Sequence, residues 1–149
     1  MLQASKLSLK VILVSVGIGM LISGGIGMIQ FAQQHVPASS LWGVAEQNPQ
    51  DLGPSTVETS LRRWLRGYGT FPHPNLLGGW MVLGLLCWLG VFLATHPLTS
   101  DKDSWARLMA IVGTVVGAGG LWLSFSRSAW LGVCVFLFLF WLDVLIKKR

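Results

Sequence analysis

The 149 residues are 52% hydrophobic and only 11% charged, with 18 glycines and eight tryptophans, whereas a soluble globular domain carries about 25% charged residues. That balance argues against a soluble domain and predicts a membrane protein. The formal charge of +5 comes from cations scattered between apolar runs, with no basic stripe, so no nucleic-acid partner is expected.

Met1 to Lys10 carries Lys6 and Lys10, and Val11 to Ala32 follows as 22 residues without a charge, enough to cross a hydrocarbon core of about 30 Å. A signal peptide competes for this run, with Val36-Pro37-Ala38 as a loose cleavage site, but the apolar stretch exceeds the roughly 7 to 15 residues of a signal core. A retained span is expected. Ser15, Gly19, Ser23 and Gly27 recur every fourth residue and predict a smooth contact face. Residues 33–75 form the longest polar segment and predict an outer loop, in which His35 and Glu46 read as solvated. Within it Thr56 to Leu65 places Val57, Leu61, Trp64 and Leu65 at helical spacing, the pattern of a short interfacial helix.

Arg62, Arg63 and Arg66 then stand within five residues of one another. Gly67 and Gly69 loosen the backbone beside them, Pro72 and Pro74 stiffen it, and Asn75 stands where a helix N-cap is wanted. Leu76 to Thr95 is a second charge-free span, stopped by His96-Pro97. Leu98 to Arg107 reads as a polar turn within a cytoplasmic loop over 96–107, with Asp101, Asp103 or Ser104 as the cap of the next helix. Leu108 to Phe125 is a third span, with Gly113 and Gly117 as a close-packing pair. Ser126-Arg127-Ser128 interrupts the apolar sequence so briefly that a tight turn is required. Ala129 to Ile146 is the fourth span, and Asp143 near its end is satisfied by Lys147, Lys148 or Arg149.

The fold class is therefore all-α, a polytopic transmembrane bundle in a single domain, with spans at about 11–32, 76–95, 108–125 and 129–146. Seven cations (Lys6, Lys10, Lys102, Arg107, Lys147, Lys148, Arg149) fall on one side of four crossings and four (Arg62, Arg63, Arg66, Arg127) on the other, which places both termini in the cytoplasm. Two crossings separate Arg66 from Arg127, so both face the same compartment whichever way the chain inserts. The four outer cations are all arginines, suited to phosphate or carboxylate oxygens. Cys87 and Cys134 lie inside apolar runs with no ligand spacing, so neither a metal nor another cofactor is expected.

Two blocks resemble those of the O-antigen ligase and O-antigen polymerase superfamily of bacterial membrane proteins. Arg66-Gly67-Tyr68-Gly69-Thr70-Phe71-Pro72-His73-Pro74-Asn75-Leu76-Leu77-Gly78-Gly79 is similar to its arginine, Gly-Thr-Phe, Pro-Asn and small-small pattern at the start of a membrane helix. Ser124-Phe125-Ser126-Arg127-Ser128-Ala129-Trp130-Leu131-Gly132 is similar to its Ser-Arg block between two later helices. The resemblance implies metal-independent glycan transfer from an undecaprenyl diphosphate carrier to lipid A core or a growing polysaccharide, at the outer face of the cytoplasmic membrane. It also implies Arg66 and Arg127 as catalytic cations, with His73 as a possible base, and Arg62, Arg63, Tyr68 and Asn75 around the substrate. Full-length members have roughly a dozen spans and a large histidine-bearing outer loop, so this chain is expected to be a fragment or the partner of a split ligase. The alternative is a small non-catalytic membrane protein that packs against a larger partner and binds lipid phosphates.

Overall fold

A computed structural model describes residues 2–94 and 102–147. Four helices dominate: α1 (Leu2–Gln33), α2 (Pro74–Ala94), α3 (Lys102–Ser124) and α4 (Arg127–Lys147). By length and composition two stretches suffice to cross a membrane, Val11–Gln33 of α1 and Arg127–Lys147; the apolar described parts of α2 and α3 are shorter, Pro74–Leu89 and Ile111–Ser124. The expected helix stop at His96-Pro97, the cap at Asp101, and Lys148 and Arg149 lie outside the described residues. Asp103 and Ser104 fall inside α3 rather than before it. Lys147 alone is seen to pair with Asp143, at 2.7 Å.

α1, α2 and α3 pack on one another, and α4 leans on α2. Their shared core is Met20, Leu77, Met81, Leu121 and Ala129, flanked by Trp80, Trp88 and Phe71. Small residues allow this closeness: a Cβ on Gly24 would lie 2.8 Å from Val116 Cγ1, and one on Gly117 2.8 Å from Leu85 Cδ2. The contact face of α1 is therefore not quite the expected stripe. Ser15 is exposed, whereas Gly17, packed under Trp88, and Gly24 join Gly19, Ser23 and Gly27. A four-residue repeat drifts off a 3.6-residue helix, and the alternation of three and four steps stays in register with the neighbours.

The loop between α1 and α2 is folded. Val36 bridges Gln47 and Ser39 bridges Val44, and a second hairpin pairs β1 (Thr56–Glu58) with β2 (Arg63–Leu65), with Glu58 opposite Arg63. This replaces the interfacial helix expected over 56–65. Thr59 closes the hairpin turn, its hydroxyl donating to Arg62 O at 2.9 Å and accepting from Arg62 N–H at 3.3 Å, a local pairing that competes with helix. Leu61, assigned to the apolar face of that helix, is 91% exposed at the tip.

Candidate functional site

Beyond β2 the chain turns back along α1 in an extended path. Leu65 N–H donates to Gln34 Oε1 at 2.7 Å. One helical turn deeper, Gln30 Oε1 accepts from Gly69 N–H at 2.8 Å and Tyr68 N–H at 3.2 Å, while its Nε2 donates to Gly69 O at 3.0 Å. Deeper still, the hydroxyls of Ser23 and Thr70 meet at 2.8 Å. From Gln34 to Ser23 this covers about 16 Å of helix. The two glutamines act as the neighbouring strand that the segment lacks, satisfying backbone groups that would otherwise be buried unpaired. Gly69 sits at φ 63°, and a Cβ there would come within 2.6 Å of Ser23 O, so this position requires glycine.

Arg66 lies in the middle of that segment and closes the end of α3. All four last carbonyls of α3 find donors: Leu121 O from Ser124 Oγ, Trp122 O from Phe125 N–H, Leu123 O from Gly67 N–H and Ser124 O from Arg66 Nε, the last at 2.7 Å. A cation at a helix C-terminus also suits the macrodipole. Arg66 Nη2 donates to Asn75 Oδ1 at 2.7 Å, so one guanidinium ties the loop to α3 and to the start of α2.

The expected cap at Asn75 moves to His73. Pro74 is the first residue of α2, and His73 Nδ1 accepts from Asn75 N–H at 3.2 Å while His73 O accepts from Leu76 N–H. Proline at this first position gives up no hydrogen bond, and Asn75 is thereby released to hold Arg66. His73 Nε2 lies 3.2 Å from Ser55 Oγ, so the neutral ring uses Nδ1 as acceptor and Nε2–H as donor. Service as a base would require one of these contacts to break.

The tight turn expected at 126–128 is present, with two residues between α3 and α4. Phe125 takes φ 45°, an unusual conformation for a bulky side chain. Ser126 caps α4, its Oγ accepting from Ala129 N–H at 3.4 Å. Gly78 of α2 lets this turn come close, since a Cβ there would lie 2.7 Å from Ser126 Cβ. Arg127, the first residue of α4, is exposed.

The arginines at positions 62, 63, 66 and 127 thus differ. Arg63 Nε stands 3.2 Å from Glu58 Oε1 without hydrogen-bond alignment, and its Nη2 reaches Thr56 Oγ1 at 3.3 Å. Arg62 stacks over Trp64, 5.1 Å from the ring centroid. Arg66 and Arg127 both stand at the turn between α3 and α4, and no carboxylate among the described residues pairs with either. Burial lowers the Arg66 pKa from its ordinary value, and the positive charge of Arg127 lowers it further, against an opposing contribution from Tyr68. Tyr68, expected around a substrate, is buried at 2% exposure with its hydroxyl accepting from Ser55 N–H at 2.7 Å.

Among the described residues Arg66 engages two of its five N–H donors. From Arg127, α4 runs past Trp130, which packs edge-on to Trp122 with centroids 5.0 Å apart. Both line an apolar cleft of about 870 Å³ between α2, α3 and α4, walled also by Val82, Trp88, Val133 and Phe136. Among the described residues no group of histidine, cysteine and carboxylate side chains could hold a metal ion. The sequence signal for Gln30 and Gln34 is their spacing of four at the end of an apolar run. No protein-family profile, curated protein or solved structure matches this chain.

Proposed function

We propose that this chain is a four-span protein of the cytoplasmic membrane, with both termini inside, whose outer end binds the diphosphate of an undecaprenyl-linked glycan. In this reading it serves glycan transfer of the O-antigen ligase or polymerase kind, acting with further spans from a partner chain. The carrying observation is the placement of Arg66 and Arg127 at one turn, unpaired with any carboxylate among the described residues, with Arg66 held from two sides. A diphosphate leaving group develops negative charge, and preoriented guanidinium forks stabilise it without a metal. The apolar cleft beginning at Trp122 and Trp130 offers room for the lipid tail beneath.

The test is binding of undecaprenyl diphosphate to the protein in lipid nanodiscs. Arg127→Ala and Arg66→Lys should each weaken it at least tenfold, and Arg62→Ala should leave it within twofold. Equal loss in all three would reduce the arginines to a diffuse positive surface. A second reading, a non-catalytic membrane protein packed against a larger partner, is favoured by His73, whose two ring nitrogens are both engaged in local structure. Under that reading anionic phospholipid competes fully with the diphosphate carrier.

A further inference from the structure

The hairpin that follows α1 ends in an apolar tip. Val36 and Val44 tie its base into a small core with Leu65 and Tyr68. The turn across 40–43 closes with Gly43 at φ 61°. Its sequence, Ser40-Leu41-Trp42-Gly43, contains no charge, and it leaves Leu41 83% and Trp42 42% exposed.

Where the hairpin lies decides what covers them. Trp42, Pro37 and Val44 face Ile26, Ile29 and Gln33 of α1 across a cleft of about 120 Å³. Those α1 positions cover about 10 Å of helix, so the hairpin lies back along the flank of α1 instead of standing off its end. The same helix exposes Ile18, Ile22, Met28 and Ile29, within a stretch apolar and long enough to cross a membrane. Leu41 and Trp42 extend that apolar surface sideways.

We infer that the 36–47 hairpin is a second membrane contact, its Leu41-Trp42 tip inserted into the lipid beside α1 at the outer interface. This rests on the reading of α1 as a span. Tryptophan suits such a depth because its ring is apolar while its N–H can reach headgroups and water. Because the hairpin base is packed on Leu65 and Tyr68, the inserted tip anchors the segment that holds Arg66 at a fixed height above the bilayer.

The test uses protein in which Cys87 and Cys134 are replaced by serine, reconstituted in vesicles of phosphatidylcholine and phosphatidylglycerol. An environment-sensitive fluorophore is attached in turn to Leu41→Cys, to Ile22→Cys on α1, and to Ser60→Cys at the tip of the β1–β2 hairpin. The Leu41→Cys label should emit blue-shifted, as the Ile22→Cys label does, and be quenched by lipid spin-labelled high on its acyl chain. The Ser60→Cys label should emit as in water. Water-like emission at 41 with a lipid-like signal at 22 overturns the inference and leaves the span intact. A blue-shifted label at 41 that spin-labelled lipid cannot quench overturns it in favour of a protein neighbour. Water-like emission at 22 as well overturns the span reading itself.

Discussion

The Nε of Arg66 donates to the carbonyl oxygen of Ser124 across 2.7 Å, joining residues 58 positions apart and making a loop cation the final cap of a helix. Arg66 is therefore a cap for α3 and, in the proposed function, half of an anion site, and the two roles respond differently to substitution.

Arg127 separates them. Its side chain is exposed and makes no hydrogen bond or ion pair with the described residues, so Arg127→Ala should change folding stability by less than about 0.5 kcal/mol. Arg66→Ala removes two charge-assisted hydrogen bonds at roughly 1.5–3 kcal/mol each. Thermal unfolding in detergent beside anion binding checks the contrast: Arg127→Ala should lose binding at unchanged stability, and Arg66→Ala should lose both.

Asn75→Asp offers a cleaner probe of charge. The carboxylate keeps the acceptor that Arg66 Nη2 uses but halves the net positive charge of the Arg66–Arg127 pair. Stability should hold or rise, and diphosphate affinity should fall about tenfold, or ~1.4 kcal/mol. Titration at two salt concentrations measures it, and unchanged affinity would remove Arg66 from the binding site.

Gln30→Leu should be the most damaging single change in α1. It strands Gly69 N–H, Gly69 O and Tyr68 N–H, each costing roughly 1–3 kcal/mol when buried without a partner.

His35 and Glu46 join the end of α1 to the 36–47 hairpin at 3.2 Å. The hydrogen bond from His35 lowers the Glu46 pKa, helped by one from Asn48 and by the charge of His35. A depressed carboxylate stabilises the fold above its ordinary pKa, and that contribution is lost as pH falls through the lowered value. Glu46→Gln should flatten this acid-side slope in melts collected across pH.

How much of this was legible varies by residue. The apolar runs of α1 and α4 announce themselves by composition, and the shared location of Arg66 and Arg127 follows from the count of intervening helices. Gly113 was legible because small residues four apart mark close approach, and a Cβ there would indeed strike Trp88 at 2.7 Å. The hairpin at 56–65 was not legible: apolar spacing in ten residues fits a helix, and what decides against it is the turn hydroxyl of Thr59 and the pairing of Glu58 with Arg63. Gln30 and Gln34 were missed because glutamine at the end of an apolar run reads as an interface marker. Their function depends on a backbone segment more than thirty residues later, which periodicity cannot reveal. His73 took the capping place expected of Asn75 because an imidazole nitrogen can accept as an aspartate oxygen does.

The path of residues 65–70 along α1 has a consequence for biogenesis. Gln30, Gln34 and Ser23 are available to this segment as soon as α1 is in place, but Gly67 N–H and Arg66 Nε find their acceptors only at Leu123 and Ser124, which leave the ribosome more than fifty residues later. During synthesis the segment must wait, half satisfied, until α3 has been made. Its docking against the end of α3 is therefore a late event of assembly, and a ribosome stalled before α3 would leave Arg66 without the carbonyl it caps.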